Sequence, residues 1–346
     1  MQGRKDITIY DIADYLSIST STVSRALQNQ PNVNKQTRQK VLNTAKKLGY
    51  QYNTFAGRLR MQRTHTIGFL VHELNSNFIT SVLAGVEKIT AQAGYDLLIA
   101  HSSESSVKEA SNALNLFHKR VDGLIASLAF DTASFDHFNL FYDKGIPIIF
   151  FDRVEETAKN TSVIIDNQKA GYQATQHLIE QGCKRIVIVT ANLKRNVYAQ
   201  RFKGYKDALT DAGIPYDESL LIVGDLSEKA GVESAHHILE MNPRPDGLFI
   251  TNDFSAAVCM QVLKENGIEI PGDIAVVGFN NDAIGKLIEP NLTTINYPGE
   301  YMGEVAARNL IDQLKGVTEK PENNTIIIHS ELVIRDSSLK KTNGTV

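Results

Sequence analysis

Charged and amide side chains follow several apolar runs of this sequence, close to the point where each run ends. Asp152 and Arg153 follow "IPIIFF", Asn252 follows "LFIT", and Asn280 follows "VVGF". Carboxylates, guanidinium groups and amides hydrogen-bond sugar hydroxyls in pairs, while an aromatic ring such as Phe78 covers the apolar face of a sugar. These residue types at the ends of strand-like runs therefore predict a binding site for a polyol.

The complete predicted set lies near the ends of several such runs. The residues that we expect to contact the ligand are Glu73, Phe78, Asp152, Arg153, Arg201, Asn252, Asp253 and Asn280. Asp166 and Asn281 lie near the same run ends. Asp and Asn residues at such positions are also frequent helix caps, so a capping role stays open for each of them.

A second set of polar residues lies in "SISTSTVSRALQNQPNVNKQTRQ", residues 17–39. A helix that carries short hydroxyl side chains and an arginine can enter the major groove of DNA, where Arg pairs with guanine. The residues placed for base contact are Thr20, Ser21 and Arg25, and those placed for phosphate contact are Thr22, Ser24, Asn34 and Thr37. The alternative is that these residues are solvated surface or local caps.

The distribution of charge favours a polyanion as the partner of the N-terminal region. Residues 1–63 hold 11 Lys and Arg against three acidic residues, a net charge of +8 within a chain whose overall charge is −3. The remaining residues therefore carry −11. Such asymmetry indicates that an N-terminal module meets a polyanion and that the body does not. A solvated basic face is the alternative.

Three short helices would position the N-terminal polar residues. The first runs from Thr8, its N-cap, to Leu16, and the second follows Ser19 as N-cap and ends at Leu27. The third begins after Asn34 and runs through Leu48 to Gly49, where a glycine suits the left-handed end of a helix. Two short helices joined by about three residues, with a third closing the core, are typical of a helix-turn-helix.

Apolar runs alternate with amphipathic stretches in the rest of the chain, which indicates parallel sheets covered by helices on both faces. The runs are "IGFLV" (67–71), "YDLLIA" (95–100), "VDGLIAS" (121–127), "IPIIFF" (146–151), "SVIIDN" (162–167), "KRIVIVT" (184–190), "SLLIVG" (219–224), "DGLFIT" (246–251), "DIAVVGF" (273–279) and "PNLTTINYP" (290–298). A further helix from Glu300 to Leu314 and a terminal strand pair in 325–338 follow. We predict two lobes with a cleft between them, where ligands of open α/β sheets bind.

Several classes of protein are disfavoured by what the sequence lacks. No run has the length of a signal peptide or a membrane span, so we expect a cytoplasmic protein with no membrane partner. Cys183 and Cys259 lack CxxC spacing and are expected to be buried thiols rather than disulfide or zinc residues. No GxGxxG, Walker, GxSxG or HExxH spacing occurs, so we expect no enzyme, no cofactor and no catalytic or metal-binding residue. A free sugar carrier remains an alternative, but it would need an export signal and would have no use for residues 1–63.

The stretch "TIYDIADYLSISTSTVSRALQNQPNVNKQTRQKVLNTAKKLGYQYN" resembles the DNA-binding headpiece of the LacI/GalR (lac repressor/galactose repressor) family of bacterial transcriptional regulators. The resemblance implies that Thr20, Ser21 and Arg25 read the operator and that Tyr10 and Thr22 lie beside phosphates. Val33 and Val41 belong to the small core by the same resemblance. Thr8 and Asn32 complete the set of headpiece residues that we predict to contact DNA.

The following segment, "YQYNTFAGRLRMQRT", resembles the hinge of that family, whose short helix inserts a Leu into the minor groove of the operator. By this resemblance, Leu59 is the inserted residue, and Asn53 and Ala56 belong to the hinge helix. The segment departs from the pattern at Tyr52, where the family usually has Pro, and at Gly57, which costs about 1 kcal/mol of helix propensity relative to Ala. The alternative is that Leu59 is a packing residue of a permanent helix.

The body resembles the effector domain of the same family, which has the fold of periplasmic sugar-binding proteins. The resemblance rests on "IGFLVHELNSNFITSVLAGVE", "FFDR", "IDNQKAGYQATQHLIEQGCKRI", "RFKGYKDAL", "TNDFSAAV" and "VVGFNNDAIGKLIEPNLTTI". It implies an effector site lined by Phe78, Asp152, Arg201, Asn252, Asp253 and Asn280. Members that bind simple hexoses often have Asp at the position of Asn280.

The expected organisation follows from these resemblances. We expect a DNA-binding domain at 1–49, a hinge at 50–63, a two-lobed effector-binding and dimerisation domain at 64–338 and a tail at 339–346. Lobe one comprises about 64–164 with 299–325, and lobe two about 165–291 with the C-terminal strand. The expected function is allosteric transcription control, in which a homodimer binds a pseudo-palindromic double-stranded operator and a sugar-like effector in the cleft changes the affinity for DNA.

Overall fold

The computed structural model describes residues 7–50, 63–154, 160–317 and 324–340. The chain divides into two compact units, one within residues 1–64 and the other within residues 65–346. The first unit holds three helices, which are α1 (Ile9–Leu16), α2 (Thr20–Leu27) and α3 (Lys35–Leu48). The predicted headpiece helices are therefore confirmed.

Capping residues determine where the headpiece helices begin and end. Ser19 accepts a hydrogen bond from the backbone N–H of Thr22 at 3.2 Å, and Asn34 accepts one from Gln36 at 2.8 Å, as expected of N-caps. Gly49 ends α3 with φ of 74°, a left-handed conformation that glycine adopts without steric cost. A core that includes the fully buried side chains of Ile12, Val23 and Val41 holds the three helices together.

Two six-stranded sheets form the second unit, one in each lobe. The sheet of the first lobe has the strand order β11-β5-β4-β3-β1-β2, and its strands are all parallel. Its strands are β1 (Thr66–Val71), β2 (Asp96–His101), β3 (Gly123–Ala126), β4 (Ile148–Phe151), β5 (Thr161–Ile165) and β11 (Asn324–Ile328).

The sheet of the second lobe has the order β12-β10-β9-β8-β6-β7, and only β12 runs antiparallel to its neighbour. Its strands are β6 (Ile186–Thr190), β7 (Leu221–Val223), β8 (Gly247–Ile250), β9 (Ala275–Asn280), β10 (Thr293–Asn296) and β12 (Glu331–Val333). Each apolar run that predicted a strand overlaps one, and the predicted fold class is confirmed.

Helices accompany both sheets. Those of the first lobe are α4 (Asn77–Gln92), α5 (Ser106–His118), α6 (Asn139–Asp143) and α12 (Gly299–Lys315). Those of the second lobe are α7 (Asn167–Glu180), α8 (Asn196–Asp211), α9 (Glu228–Glu240), α10 (Asp253–Glu265) and α11 (Ile284–Leu287). No helix in the described parts of the chain is long and apolar enough to cross a membrane. Cys183 and Cys259 are free and buried, as expected.

The C-terminal strands differ from the expected pair. β11 pairs with β5 in the first lobe, whereas β12 pairs with β10 in the second. Only His329 and Ser330 separate the two strands, and the chain passes between the lobes at this point. The strands do not pair with each other because each one extends the edge of a different sheet.

Candidate ligand cleft and DNA-contacting surface

The predicted DNA-contacting residues of the headpiece all lie outside its core. Ser21 and Arg25 are exposed on α2, while Thr20, Thr22 and Ser24 are half-buried on the same helix. Outside α2, the exposed members of the set are Thr8, Tyr10, Asn32 and Asn34, and Thr37 is half-buried. The hinge residues Asn53, Ala56 and Leu59 lie outside the described residues.

The exposed face of α2 combines an ordered hydroxyl cluster with a free cation. The hydroxyl oxygen of Ser19 lies 2.9 Å from that of Ser21 and 2.8 Å from that of Thr22. Among the described residues, the Arg25 guanidinium has no hydrogen-bond or ion-pair partner, so its donors are available to a ligand. Tyr10, whose side chain is 65% exposed on α1, adds a phenol to this surface.

A cavity of about 690 Å³ in the second unit contains most of the predicted ligand-binding residues. The predicted residues that line it are Glu73, Phe78, Asp152, Arg153, Arg201, Asn252 and Asn280. Glu73 follows β1, Asp152 follows β4, and Asn252 follows β8. Because carboxyl ends of parallel strands meet at one edge of a sheet, residues from both lobes converge on the same space. We call this space the cleft.

Arg201 is a buried cation in the cleft. Its Nε donates to Asn167 Oδ1 at 2.9 Å, and its Nη1 donates to the Thr251 carbonyl oxygen at 3.3 Å. The guanidinium also lies 3.6 Å from the ring centroid of Phe279, a cation–π contact. Burial lowers the pKa of Arg201. These contacts fix the orientation of the guanidinium within the cleft.

Arg153 joins the two lobes. Its Nη1 lies 2.9 Å from each carboxylate oxygen of Glu104, and its Nη2 donates to the Tyr198 hydroxyl at 3.1 Å. Its guanidinium lies 4.0 Å from the centroid of the Phe130 ring. Because Glu104 and Phe130 belong to the first lobe and Tyr198 to α8 of the second, Arg153 links the walls of the cleft.

Asp152 and the aromatic pair beside it form another part of the wall. Tyr297 donates its hydroxyl to Asp152 Oδ1 at 2.7 Å, and its ring stacks on Phe78 with a centroid separation of 4.2 Å. Burial raises the pKa of Asp152, while Arg153 and Arg201 oppose this effect. The backbone of Asp152 has φ of 58°, a left-handed conformation that Asp tolerates better than most residues.

The structure places Asp253 away from the cleft, in contrast to the prediction. Its side chain is fully buried and is not among the groups that line the cavity. Its carboxylate accepts hydrogen bonds from Thr294 Oγ1 and from the backbone N–H of Asp282, each at 2.7 Å. Burial raises its pKa to about 7. Asp253 follows a strand like Asn252, but as the first residue of α10 it supports the loop after β9 instead of lining the cleft.

Two more residues near strand ends have structural roles. Asp166 accepts a hydrogen bond from the Lys169 backbone N–H at 2.9 Å and caps α7, which is the capping alternative. Asn281 donates to Asn296 Oδ1 at 3.1 Å and lines a neighbouring cavity of about 540 Å³. Neither residue lines the cleft.

Several residues of the cleft were not predicted from the sequence. They include His72, Glu104, Phe130, Tyr198, Asp225, Asp282 and Tyr297. Tyr297 directly follows β10, so the same strand-end rule could have found it. Phe130 and Tyr198 reach the cleft from a loop and from the first turn of a helix, where no pattern in the sequence marks them.

The described residues of the cleft do not form a cluster of metal-ligating side chains. No group of three or more His, Cys, Asp or Glu side chains within the described ranges could hold a metal ion. Burial lowers the pKa of His72 well below its usual value, so the imidazole is neutral. The cleft therefore offers hydrogen bonds, aromatic surface and fixed charges, which suit non-covalent binding of a small polar molecule.

Two family models match the chain. The model of bacterial regulatory proteins of the lacI family matches residues 8–53. The model of periplasmic binding proteins and the sugar binding domain of the LacI family matches residues 64–335. The two matches cover the headpiece and the body separately.

Individual proteins are similar over nearly the whole chain. Catabolite control protein A of Priestia megaterium is 32% identical, over 88% of this chain and 92% of its own length. The structure of the lac repressor dimer bound to operator and the anti-inducer ONPF has a TM-score of 0.86 at 25% identity, with 97% of this chain and 100% of that chain covered. A complex of the transcriptional regulator CelR with cellobiose has a TM-score of 0.73 at 29% identity, with 96% and 100% covered.

Proposed function

The chain belongs to the LacI family of bacterial regulatory proteins, and from this premise we propose that it acts in the cytoplasm as an allosteric regulator of transcription. A homodimer binds a pseudo-palindromic operator, and a small sugar-like molecule in the cleft changes its affinity for that DNA. The observation that carries the proposal is the presence, in one chain, of a helix-turn-helix with a polar exposed α2 and a ligand-sized polar cleft.

The proposed DNA contacts follow from the chemistry of the exposed face of α2. Arg25 donates to guanine, and Thr20 and Ser21 contact neighbouring base edges in the major groove. The remaining contacts go to phosphates, which fix the register of the protein on the duplex. The residues assigned to that role are Thr8, Tyr10, Thr22, Ser24, Asn32, Asn34 and Thr37.

We extend the proposal to residues 50–63, which follow the three headpiece helices in the chain. Residues 50–63 fold into a helix on the operator, with Asn53 and Ala56 in its body, and Leu59 enters the minor groove and opens a base step. A circular dichroism titration of the full chain with operator DNA tests this step. A gain of helical signal on binding supports it, and an unchanged signal contradicts it.

The cleft provides the regulatory half of the mechanism. Arg153 and Asp152 contact residues of both lobes, so a ligand that replaces or strengthens these contacts favours one relative arrangement of the lobes. A difference in binding free energy of about 1–3 kcal/mol between the arrangements would change operator affinity roughly 5- to 150-fold. The seven predicted residues that line the cleft, together with Tyr198 and Tyr297, are the proposed ligand contacts.

Paired substitutions test the division of labour between headpiece and cleft. Operator sequences are first selected from a random DNA library with the full chain, and binding is then measured by fluorescence anisotropy with and without an effector. Arg25→Ala is expected to weaken operator binding about 10-fold or more and to relax base preference, because a bidentate contact to guanine is worth about 1–3 kcal/mol. The ligand response in the same assay should persist.

Arg201→Ala is the matched control in the second unit. It should leave operator binding by the ligand-free protein within about twofold and abolish the response to the effector. Equal loss of DNA binding in both variants would contradict the assignment. Failure of the selection to enrich any DNA sequence would contradict the regulatory function itself.

A further inference from the structure

We propose that the effector is an uncharged saccharide, and that the cleft excludes phosphorylated and carboxylated sugars through an excess of carboxylates over available cations. This inference deepens the proposed function and rests on it, because it names the chemical class of the ligand. It follows from four features of the cleft, which are its balance of charge, the engagement of its arginines, the capping of its helices and its unpaired acceptors.

Acidic side chains outnumber basic ones around the cleft. The acidic residues that line it are Glu73, Glu104, Asp152, Asp225, Glu228 and Asp282. The basic residues are Arg153 and Arg201, and the imidazole of His72 is neutral. An anionic ligand would enter a space where like charges already predominate, and its desolvated charge would be repelled.

Internal contacts engage both arginines of the cleft. Arg153 directs Nη1 at the Glu104 carboxylate and Nη2 at Tyr198, and its charge is balanced by this ion pair. Arg201 uses Nε and Nη1 for Asn167 and for a backbone carbonyl. A phosphate is usually held by bidentate arginine donors, and the contacts of Arg153 to Glu104 and Tyr198 engage both of its terminal nitrogens. Nη2 of Arg201 has no hydrogen-bond partner among the described residues, and its N–H donors also suit the hydroxyl oxygens of a sugar.

Helix N-termini are the other common anion-binding groups in α/β folds, and most of those at the cleft carry a side-chain cap. Four helices place first-turn residues at the cleft, namely α4, α8, α9 and α10, and a side chain caps each of them except α8. Ser76 accepts from the Ile79 N–H, Ser227 from Ala230, and Asn252 from Ser255. Glu228 in the first turn of α9 adds negative charge at that end. At the capped ends a phosphate therefore meets side-chain acceptors on N–H groups that it would otherwise use.

Two carboxylates of the cleft have few or no hydrogen-bond partners among the described residues, and hydroxyl donors can satisfy them. The Glu73 carboxylate is half-buried and has no hydrogen-bond partner within the described part of the chain. The Asp282 carboxylate has one long contact, 3.5 Å from Asn280 Nδ2. Burial raises the pKa of Glu73, with further contributions from Glu104 and Asp225. Sugar hydroxyls donate to such groups, whereas an ionised phosphate or carboxylate has no proton to donate.

Calorimetric titration of the full chain tests the inference with matched ligands. The probes are glucose, galactose, maltose, cellobiose and sucrose, together with the 6-phosphates of glucose, galactose and sucrose, the 6′-phosphates of maltose and cellobiose, glucuronate and galacturonate. At least one uncharged sugar is expected to bind, and its own anionic counterpart is expected to bind about 10-fold more weakly or worse. Tighter binding of any anionic counterpart, or no binding by the uncharged set, would overturn the proposal.

Variants separate charge exclusion from shape. Glu73→Gln combined with Asp225→Asn removes two negative charges. It should reduce the ratio of the affinities for uncharged and anionic sugars by about 10-fold. Glu240→Gln removes a charge at the exposed far end of α9 and should leave this ratio unchanged. If the double variant has the same ratio of affinities for uncharged and anionic sugars as the wild type, charge exclusion is overturned. Selection of an operator tests the proposed function independently, so the two failures are distinguishable.

Discussion

Asp253 shows how the surroundings of one residue decide its role. Its carboxylate lies beneath β9 and β10, where it accepts hydrogen bonds from the Thr294 hydroxyl and from the Asp282 backbone. A side-chain carbon on Gly278 would lie 2.2 Å from Asp253 Oδ1, so glycine is required there for the carboxylate to fit. The buried carboxylate thereby holds the loop that brings Asn280 and Asp282 to the cleft.

The raised pKa of Asp253 predicts a pH-dependent contribution to stability. An unfolded Asp titrates near 3.8 and the folded one near 7, so its contribution is complete below pH 3.8 and is lost as pH rises through 7. Between pH 5 and pH 8 the loss is about 2–3 kcal/mol. The free-energy difference between the wild type and Asp253→Asn should therefore shrink by that amount over this range.

Urea unfolding of both proteins, followed by circular dichroism at several pH values, measures this difference. Ionisable groups that do not interact with Asp253, including the buried histidines, contribute equally to both proteins and cancel. If the difference in the free energy of unfolding between the two proteins stays constant from pH 5 to pH 8, Asp253 does not titrate in this range.

Close helix pairs support each lobe at the scale of secondary-structure elements. Gly85 of α4 faces the Glu300 carbonyl of α12 in the first lobe, and a side-chain carbon there would lie 1.9 Å from that oxygen. In the second lobe, a carbon on Gly204 of α8 would lie 2.0 Å from the Gln168 carbonyl oxygen of α7. Glycine thus allows the helix backbones to touch, and the α7–α8 contact positions Arg201 one turn away.

Gly204→Ala is expected to destabilise the second lobe by about 2–4 kcal/mol, because the added methyl group meets rigid backbone instead of a movable side chain. Ligand affinity should fall with it, since a shift of α8 moves Arg201. Thermal unfolding and calorimetric titration measure the two effects. Lys203→Ala, at an exposed position of the same helix, is the control and should stay within about 0.5 kcal/mol of the wild type. Equal stability of the two variants would contradict this account of the helix pair.

At the scale of the whole molecule, exposed apolar side chains on both lobes provide surfaces for the proposed dimer. In the first lobe, Ile99, Val107 and Leu114 are 47%, 78% and 41% exposed. In the second lobe, Phe254 lines an apolar groove of about 520 Å³, and Leu287 is 80% exposed nearby. Burial of such side chains against a second copy would stabilise the dimer by about 25 cal/mol for each Å² of apolar surface removed from water.

Val107→Asp is expected to shift the protein from dimer toward monomer in sedimentation velocity and to weaken operator binding more than 10-fold, because a buried unpaired carboxylate costs several kcal/mol. Val317→Asp introduces the same charge at a position that is 70% exposed at the end of α12, and it should leave the dimer intact. If Val107→Asp sediments as a dimer, as Val317→Asp is expected to do, the contact between subunits lies elsewhere.

Local signals in the sequence were sufficient for the elements and for much of the site. Ser19, Asn34 and Gly49 mark helix ends because their side chains or backbone freedom satisfy groups that a helix leaves open. Five of the eight predicted ligand residues line the cleft because parallel strands bring their carboxyl ends together, whereas Phe78 and Arg201 reach it from α4 and α8. These consequences depend on chain neighbours and on the direction of strands, which a single sequence contains.

Tertiary structure alone decided which strand-end residues line the cleft and which turn into the protein. Asn252 lines the cleft while its neighbour Asp253 turns into the core, and this difference arises from Thr294 and Gly278, which are distant in sequence. Phe130 and Tyr198 meet across the lobes only after both sheets have formed, at a centroid separation of 5.8 Å. Such contacts depend on the packing of remote segments, whose geometry no local pattern specifies.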